Sequence, residues 1–233
     1  MSKKFYGKGI PHLDAERLKG KLIVIEGSDG SGRTTQIDML RTWLEGQGYA
    51  TVEIDIKRSQ LVATELDIAR QSTTLSPMTM MLYYACDFAD QLEHVIIPAL
   101  RANFIVLADR YIYTLIARAI ARRLSRNWIS QLYGIALIPD AVFYLSVEPA
   151  VLAERTFRKN DTLNYWESGM DVHRQVDMYR SFIQYQRKLE HIFMDLQQEY
   201  CFVVVDGNRS PQTIYEELVS RIRPIIEQPT PVD

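Results

Sequence analysis

Cysteine is nearly absent: Cys86 and Cys201 are the only two in the chain. So sparse a set rules out a disulfide-stapled scaffold. Each lies in an apolar stretch, so both are expected as buried, reduced thiols rather than a disulfide or a metal site. The four histidines, His12, His94, His173 and His191, show neither ligand spacing nor a pairing with a nucleophile motif. No run approaches the roughly 18 apolar residues of a membrane span, and the opening MSKKFYGKGIPHLDAERLKG lacks a signal-peptide core. Neither sign of charge prevails. At a formal −2 there is no global positive field to hold a nucleic-acid backbone. Repeats and low-complexity tracts are missing too. The expectation is a soluble, cytoplasmic protein with no nucleic-acid or membrane partner.

What is present is an alternation of short apolar runs with helical periodicity. Lys21–Glu26, Thr51–Ile56, Phe104–Ala108, Ala141–Val147 and Cys201–Val205 read as strands, apolar almost throughout, as strands buried on both faces are. Helices are expected over 34–45, 61–70, 76–103, 112–125, 128–136, 149–158, 171–199 and 213–223, with Ser76 as N-cap and Pro224 ending the last. This order predicts an α/β fold, a three-layer, doubly wound, five-stranded parallel sheet. Residues 1–20 are expected as a polar, partly disordered lead-in, 21–227 as one domain, and 228–233 as a frayed tail. In such folds ligands sit at the carboxyl ends of the strands, where Gly27–Thr35 and Asp109–Tyr111 fall.

Gly27-Ser28-Asp29-Gly30-Ser31-Gly32-Arg33-Thr34 fits G-x-x-x-x-G-K-[ST] at every fixed position but the lysine, which is Arg33. Its glycines let backbone N–H groups turn toward a phosphate, and the following helix N-terminus adds positive potential. Thr34 offers a hydroxyl to Mg²⁺. Because the loop follows a strand and opens a helix, it reads as a phosphate site rather than a structural turn. Arg33 keeps the lysine's charge but moves it; either the arginine works in turnover, or the chain binds nucleotide without catalysis. Asp109 can hold a Mg²⁺-bound water, and Arg110 can neutralise charge on a transferred phosphoryl group. The bland alternative for that pair is a surface ion pair.

From Lys21 to Arg223 these features resemble the thymidylate kinase family of P-loop nucleoside monophosphate kinases. The likeness is carried by the loop with Asp29 at its third position, by YYACDFADQLEHVIIPAL (83–100), by ADRYIYTLIA, by LAERTFRKN followed by NYWE, and by VDGNRSP (205–211). The resemblance implies ATP as donor, Mg²⁺ as cofactor, nucleotide substrates, a short mobile lid at about 155–170, and a homodimer formed through the 76–103 helix. Gly27, Gly30, Ser31, Gly32, Arg33, Thr34 and Thr35 would hold the donor phosphates, and Asn208 lies in the turn that meets adenine. Thr34 and Asp109 would hold the metal. Arg33, Asp109, Arg110 and the lid's Arg155 would serve transfer, with Arg158 and Lys159 as further lid cations.

On the acceptor side the resemblance points to Asp29, Arg58, Tyr84, Phe88 and Arg118. Here the chain departs from the family. Phe88 replaces an arginine, Arg118-Ala119 replaces a Tyr-Gln pair, only Arg58 survives of an Arg-Glu-Pro-Gly loop, and Tyr165 stands where arginine is frequent. Thymidylate is the family-level acceptor; another nucleotide, or a more acidic phosphorylated metabolite, is the alternative. Tyr84 could stack on a base or belong to the core, and Phe88 is expected to pack. Arg118, Arg122 and Arg126 are expected on one helix face, solvated in the simpler reading and lining the cleft in the other. Asp67, Asp90 and Glu93 are expected in solvent.

Overall fold

The computed structural model describes residues 3–71, 75–160, 163, 165–173 and 177–227. Five parallel strands, β1 (Lys21–Gly27), β2 (Thr51–Asp55), β3 (Ile105–Asp109), β4 (Ala141–Ser146) and β5 (Val203–Asp206), form one sheet in the order β2-β3-β1-β4-β5. Parallel pairing brings Ile25 beside Asp109, and Asp55 beside Asp109. The ends of β1, β2 and β3 therefore lie level, and the loops that follow them share one edge.

Helices cover both faces, as a parallel sheet requires. On one face α1 (Arg33–Gly46) and α9 (Pro211–Ile226) bury Ile37, Leu40, Ile214 and Leu218 against Ile23, Ile25 and Phe143. On the other, α3 (Pro77–Gln91), α5 (Ile112–Ala121) and α8 (Met178–Tyr200) pack over Leu22, Val24 and Tyr144. The order also includes α2 (Ala63–Gln71), α4 (Ile97–Arg101), α6 (Arg126–Leu132) and α7 (Pro149–Asn160). The fold class expected from the sequence is the one observed.

Local departures have local causes. The helix expected over 76–103 runs as α3, a π-helical turn (Leu92–Ile96) and α4. Pro98 has no N–H to give the preceding turn, and the wider turn sits just before it. Pro224 does not end the last helix. It lies inside α9, which closes at Ile226. The helix expected over 112–125 stops at Ala121, because Arg123 turns into the left-handed region at φ +63°. Ser125 then caps a separate α6, so Arg126 leaves the face of Arg118 and pairs with Glu199. Both cysteines are exposed, contrary to the burial expected from their apolar neighbours.

The lead-in is seated rather than loose. Phe5 bridges to Leu137, and the amides of Tyr6 and Gly7 donate to Ala136 and Gly134 carbonyls at 3.0 and 2.9 Å. Tyr6 and Tyr113 share a hydroxyl–hydroxyl bond of 2.5 Å, and Lys3 pairs with Asp140. Residues 228–233, expected as a frayed tail, lie outside the described residues.

Candidate active site

The phosphate loop joins β1 to α1 in torsions that only glycine adopts without strain: Gly30 has φ +84° and Gly32, the N-cap, φ +95°. A methyl at Gly30 would meet Thr156 Oγ1 at 3.0 Å and the Leu152 carbonyl at 3.1 Å, so the loop's crest rests on α7. From α7, Arg155 donates to the Gly207 carbonyl at 3.1 Å. Beside it, Asn208 accepts from the Glu148 amide at 3.2 Å and donates to Asp206 at 2.9 Å. Arg155, Asn208 and the loop thus lie on one side of the cleft. Arg158 pairs with Glu154 in solvent, and the Lys159 side chain is outside the described residues.

Arg33, at the first turn of α1, is buried. Its Nε donates to Asp109 Oδ1 at 2.6 Å, and its Nη1 donates to the Gly27 and Ser28 carbonyls and to Ser31 Oγ. Thr34 Oγ1 donates to the other Asp109 oxygen at 2.8 Å. Thr34 and Thr35 are exposed at the helix N-terminus. A threonine hydroxyl beside a strand-end carboxylate is a set of hard oxygens that fits Mg²⁺.

Asp29 lies among three guanidinium groups. Arg110 donates to its Oδ1, Arg118 to its Oδ2 at 3.1 Å, and Arg33 Nη2 is 3.7 Å away. Arg110 adopts φ +76°, which turns its side chain back over the loop, and its Nη1 is 3.6 Å from Asp55. Burial, with Arg118 beside it, pushes Arg110 down to about 9. Its buried Nε has no partner among the described residues. A cation so pressed gains more than a solvated one from an arriving anion.

Sequence reasoning missed the residues that hold these groups. Glu26 is completely buried, and its carboxylate accepts from the Tyr111 amide at 2.9 Å, the Thr114 amide at 3.2 Å and the Thr114 hydroxyl at 2.5 Å. It fixes the turn that carries Arg110, and burial pushes its own pKa up. Its signal was a carboxylate closing the apolar run Leu22–Ile25. Asp55 ends β2 as Asp109 ends β3, and burial together with Asp109 lifts it to about 6. Buried Asp87 accepts from the Lys57 and Ser59 amides at 2.8 and 2.9 Å, tying down the loop after β2. Asp90, expected in solvent, is instead largely covered and accepts from Ser59 Oγ at 2.6 Å. Asp67 is exposed as expected.

The acceptor-side candidates divide. Tyr84 is buried and, with Met80, Met81, Trp166, Glu167 and Arg118, lines a recess that adjoins Asp29. Arg118 and Arg122 face this recess, which corrects the solvated reading. Phe88 packs edge-on against Tyr111 and Tyr133, at 5.2 and 5.7 Å between ring centres. Arg58 is exposed on a separate open groove with Gln60 and His94, and no hydrogen bond among the described residues joins it to Asp29.

Residues 25–218 match the protein-family model described as Thymidylate kinase. A probable thymidylate kinase 2 of Saccharolobus solfataricus is 32% identical over 195 residues, covering 82% of this chain and 90% of its own. A probable thymidylate kinase of Pyrococcus abyssi is 27% identical and spans 88% of this chain and 97% of its own. A thymidylate kinase of Pelobacter propionicus is 29% identical, with 87% and 94% covered.

Proposed function

The chain belongs to the thymidylate kinase family and is a nucleoside monophosphate kinase; on that premise we propose that it transfers the γ-phosphoryl group of ATP to dTMP. The observation that carries the site assignment is the single carboxylate, Asp109, bonded at once to Arg33 and Thr34. It ties the donor loop to the strand end from which Arg110 reaches the acceptor side.

In this reading the backbone of Gly27–Gly32 and the start of α1, with Ser31 and Thr35, cradle the donor phosphates, while Asn208 meets the adenine. Thr34 and Asp109 would hold Mg²⁺, which when bound would supply positive charge to the donor phosphates. Arg110 stabilises the transferring group, and Arg155 approaches it from the donor side. Asp29, Arg118 and Tyr84 place the acceptor. Its phosphate oxygen is already anionic, so positioning replaces general-base catalysis. A cytoplasmic setting fits this metabolism, and no helix among the described residues is long and apolar enough to cross a membrane. Exposed Met78 and Leu82 lie one turn apart on α3, and we place the family-type homodimer there. A purely monomeric species by light scattering would remove that part.

The reading is tested by ADP release from Mg·ATP with each common ribo- and deoxyribonucleoside monophosphate. Preference for dTMP is expected, and ATP binding without turnover on any acceptor would sink it. One observation favours a second reading, in which another nucleotide is the acceptor: the recess presents Arg118, a donor-only group, where the resemblance places a phenol. Clear preference for a different base in the same panel would establish it.

A further inference from the structure

Arg118 and Arg122 are one helical turn apart and face the same recess, yet their bonding differs sharply. Arg118 makes one side-chain hydrogen bond among the described residues, to Asp29. Arg122 uses all five of its N–H donors. Nε and Nη2 form a fork on Asp171 at 2.7 and 3.0 Å, Nη1 donates to the Tyr185 hydroxyl at 2.6 Å and the Arg118 carbonyl at 3.3 Å, and Nη2 also donates to the Trp166 carbonyl at 3.1 Å. Its guanidinium carbon also lies 5.7 Å from the Trp166 ring centre and 5.3 Å from that of Tyr185. A guanidinium with no donor to spare cannot greet a substrate.

We propose that Arg122 is a positioning residue. It clasps residues 166–171 to α5 and α8, so that Trp166 and Glu167 stand as a fixed wall of the acceptor recess before any nucleotide arrives. Three independent contacts place that segment on α8. Ser181 Oγ donates to the Ser168 carbonyl at 2.8 Å, and Gln186 donates to the Glu167 carbonyl at 3.1 Å. Gly169, at φ +64°, approaches the Tyr185 ring so closely that a methyl there would lie 2.5 Å from it. Arg122 adds what these lack, a fastening of the same segment to α5, the helix that carries Arg118. The fork matters because a planar guanidinium fixes orientation as well as distance. This inference rests on the recess being the acceptor site of the proposed kinase.

The test compares wild type, Arg122→Gln and Arg122→Lys by hydrogen exchange without nucleotide and by steady-state kinetics. The amides of Gly169, Met170, Val172 and His173 report the segment, since each bonds to a carbonyl at 165–169. In Arg122→Gln they should exchange at least about tenfold faster while β1 amides keep their rates. KM for the acceptor should rise by about tenfold or more with KM for ATP within about twofold, and lysine should restore part of both. Unchanged exchange at those amides, equal increases in both KM values, or faster exchange throughout the sheet would overturn the proposal. Should Arg122→Gln not fold, Asp171→Asn gives the same two readings by weakening the fork. A wild type silent on every monophosphate would defeat the kinase reading, and exchange alone would then decide the clasp.

Discussion

Asp109 gives one carboxylate oxygen to Arg33 at 2.6 Å and the other to Thr34 at 2.8 Å. The arginine that breaks the phosphate-loop pattern is thereby held at the centre of the site, and its Nη1 donates to the Gly27 and Ser28 carbonyls of the loop itself. Its bonds shape the loop, and in the proposed reading its charge stands next to the donor phosphates.

Arg33→Ala removes charge-assisted bonds worth about 1.5–3 kcal/mol and leaves Asp109 partly unpaired. It should lower stability in urea and reduce kcat by about 10²–10³-fold. Arg33→Lys retains the charge and should stay within about tenfold of wild type. Equal, severe loss in both variants would show that the guanidinium fork, not its charge, is what turnover needs.

Arg118→Met keeps the length of the side chain and deletes its donors. Acceptor KM should rise about tenfold or more while KM for ATP holds, because the donor side lies across Asp29 from it. Loss of base discrimination across the monophosphate panel would accompany this change if Arg118 reads the base edge. An unaltered acceptor KM would place the acceptor elsewhere.

Asp55 is lifted from 3.8 to about 6 by burial and by Asp109. The folded chain therefore holds a proton that the unfolded chain has released between these values. Stability from this group is full below about pH 4, declines as pH rises toward 6, and does not return above it, a loss on the order of 2–3 kcal/mol. Urea unfolding of the metal-free protein at pH 4, 5, 6 and 7 should show a decline that Asp55→Asn flattens. A parallel decline in the variant would assign it to other groups.

Tyr6→Phe takes away the hydroxyl that meets Tyr113 and leaves the latter buried without that partner. A cost of about 1 kcal/mol, or about 2–4 °C in Tm for a chain of this size, is expected. No change in Tm would mean that the N-terminal segment contributes nothing through this contact.

The strands and their layering were legible because unbroken apolar runs, level glycine turns and helical spacing all pointed one way. Arg33, Thr34, Asp109 and Arg110 were legible for the same reason, being tied to a spacing. Arg122 was not, since a cation on a helical face looks alike whether it meets water or, as here, Asp171 from a turn far along the chain. Glu26 escaped in the opposite way: within an apolar strand its charge looked incidental, and only tertiary contact with Thr114 reveals its use. Cys86 misled because an apolar neighbourhood in sequence does not say which side of the helix a residue takes, and Cys201 because it ends α8 as a left-handed C-cap rather than opening a strand. Cys86 follows exposed Leu82 by one turn on α3.

The position of β1 has a consequence for how the protein is made. Its neighbours are β3 and β4: Lys21 aligns with Ile105, and Ile23 with Ala141. Of the five strands β1 is made first, and it has no partner until β3, which ends at Asp109, has followed. Such distant pairings close slowly, and an unpaired apolar strand is exposed to misassociation in the interval. The phosphate loop, whose crest rests on α7, takes its final form only when synthesis has passed that helix.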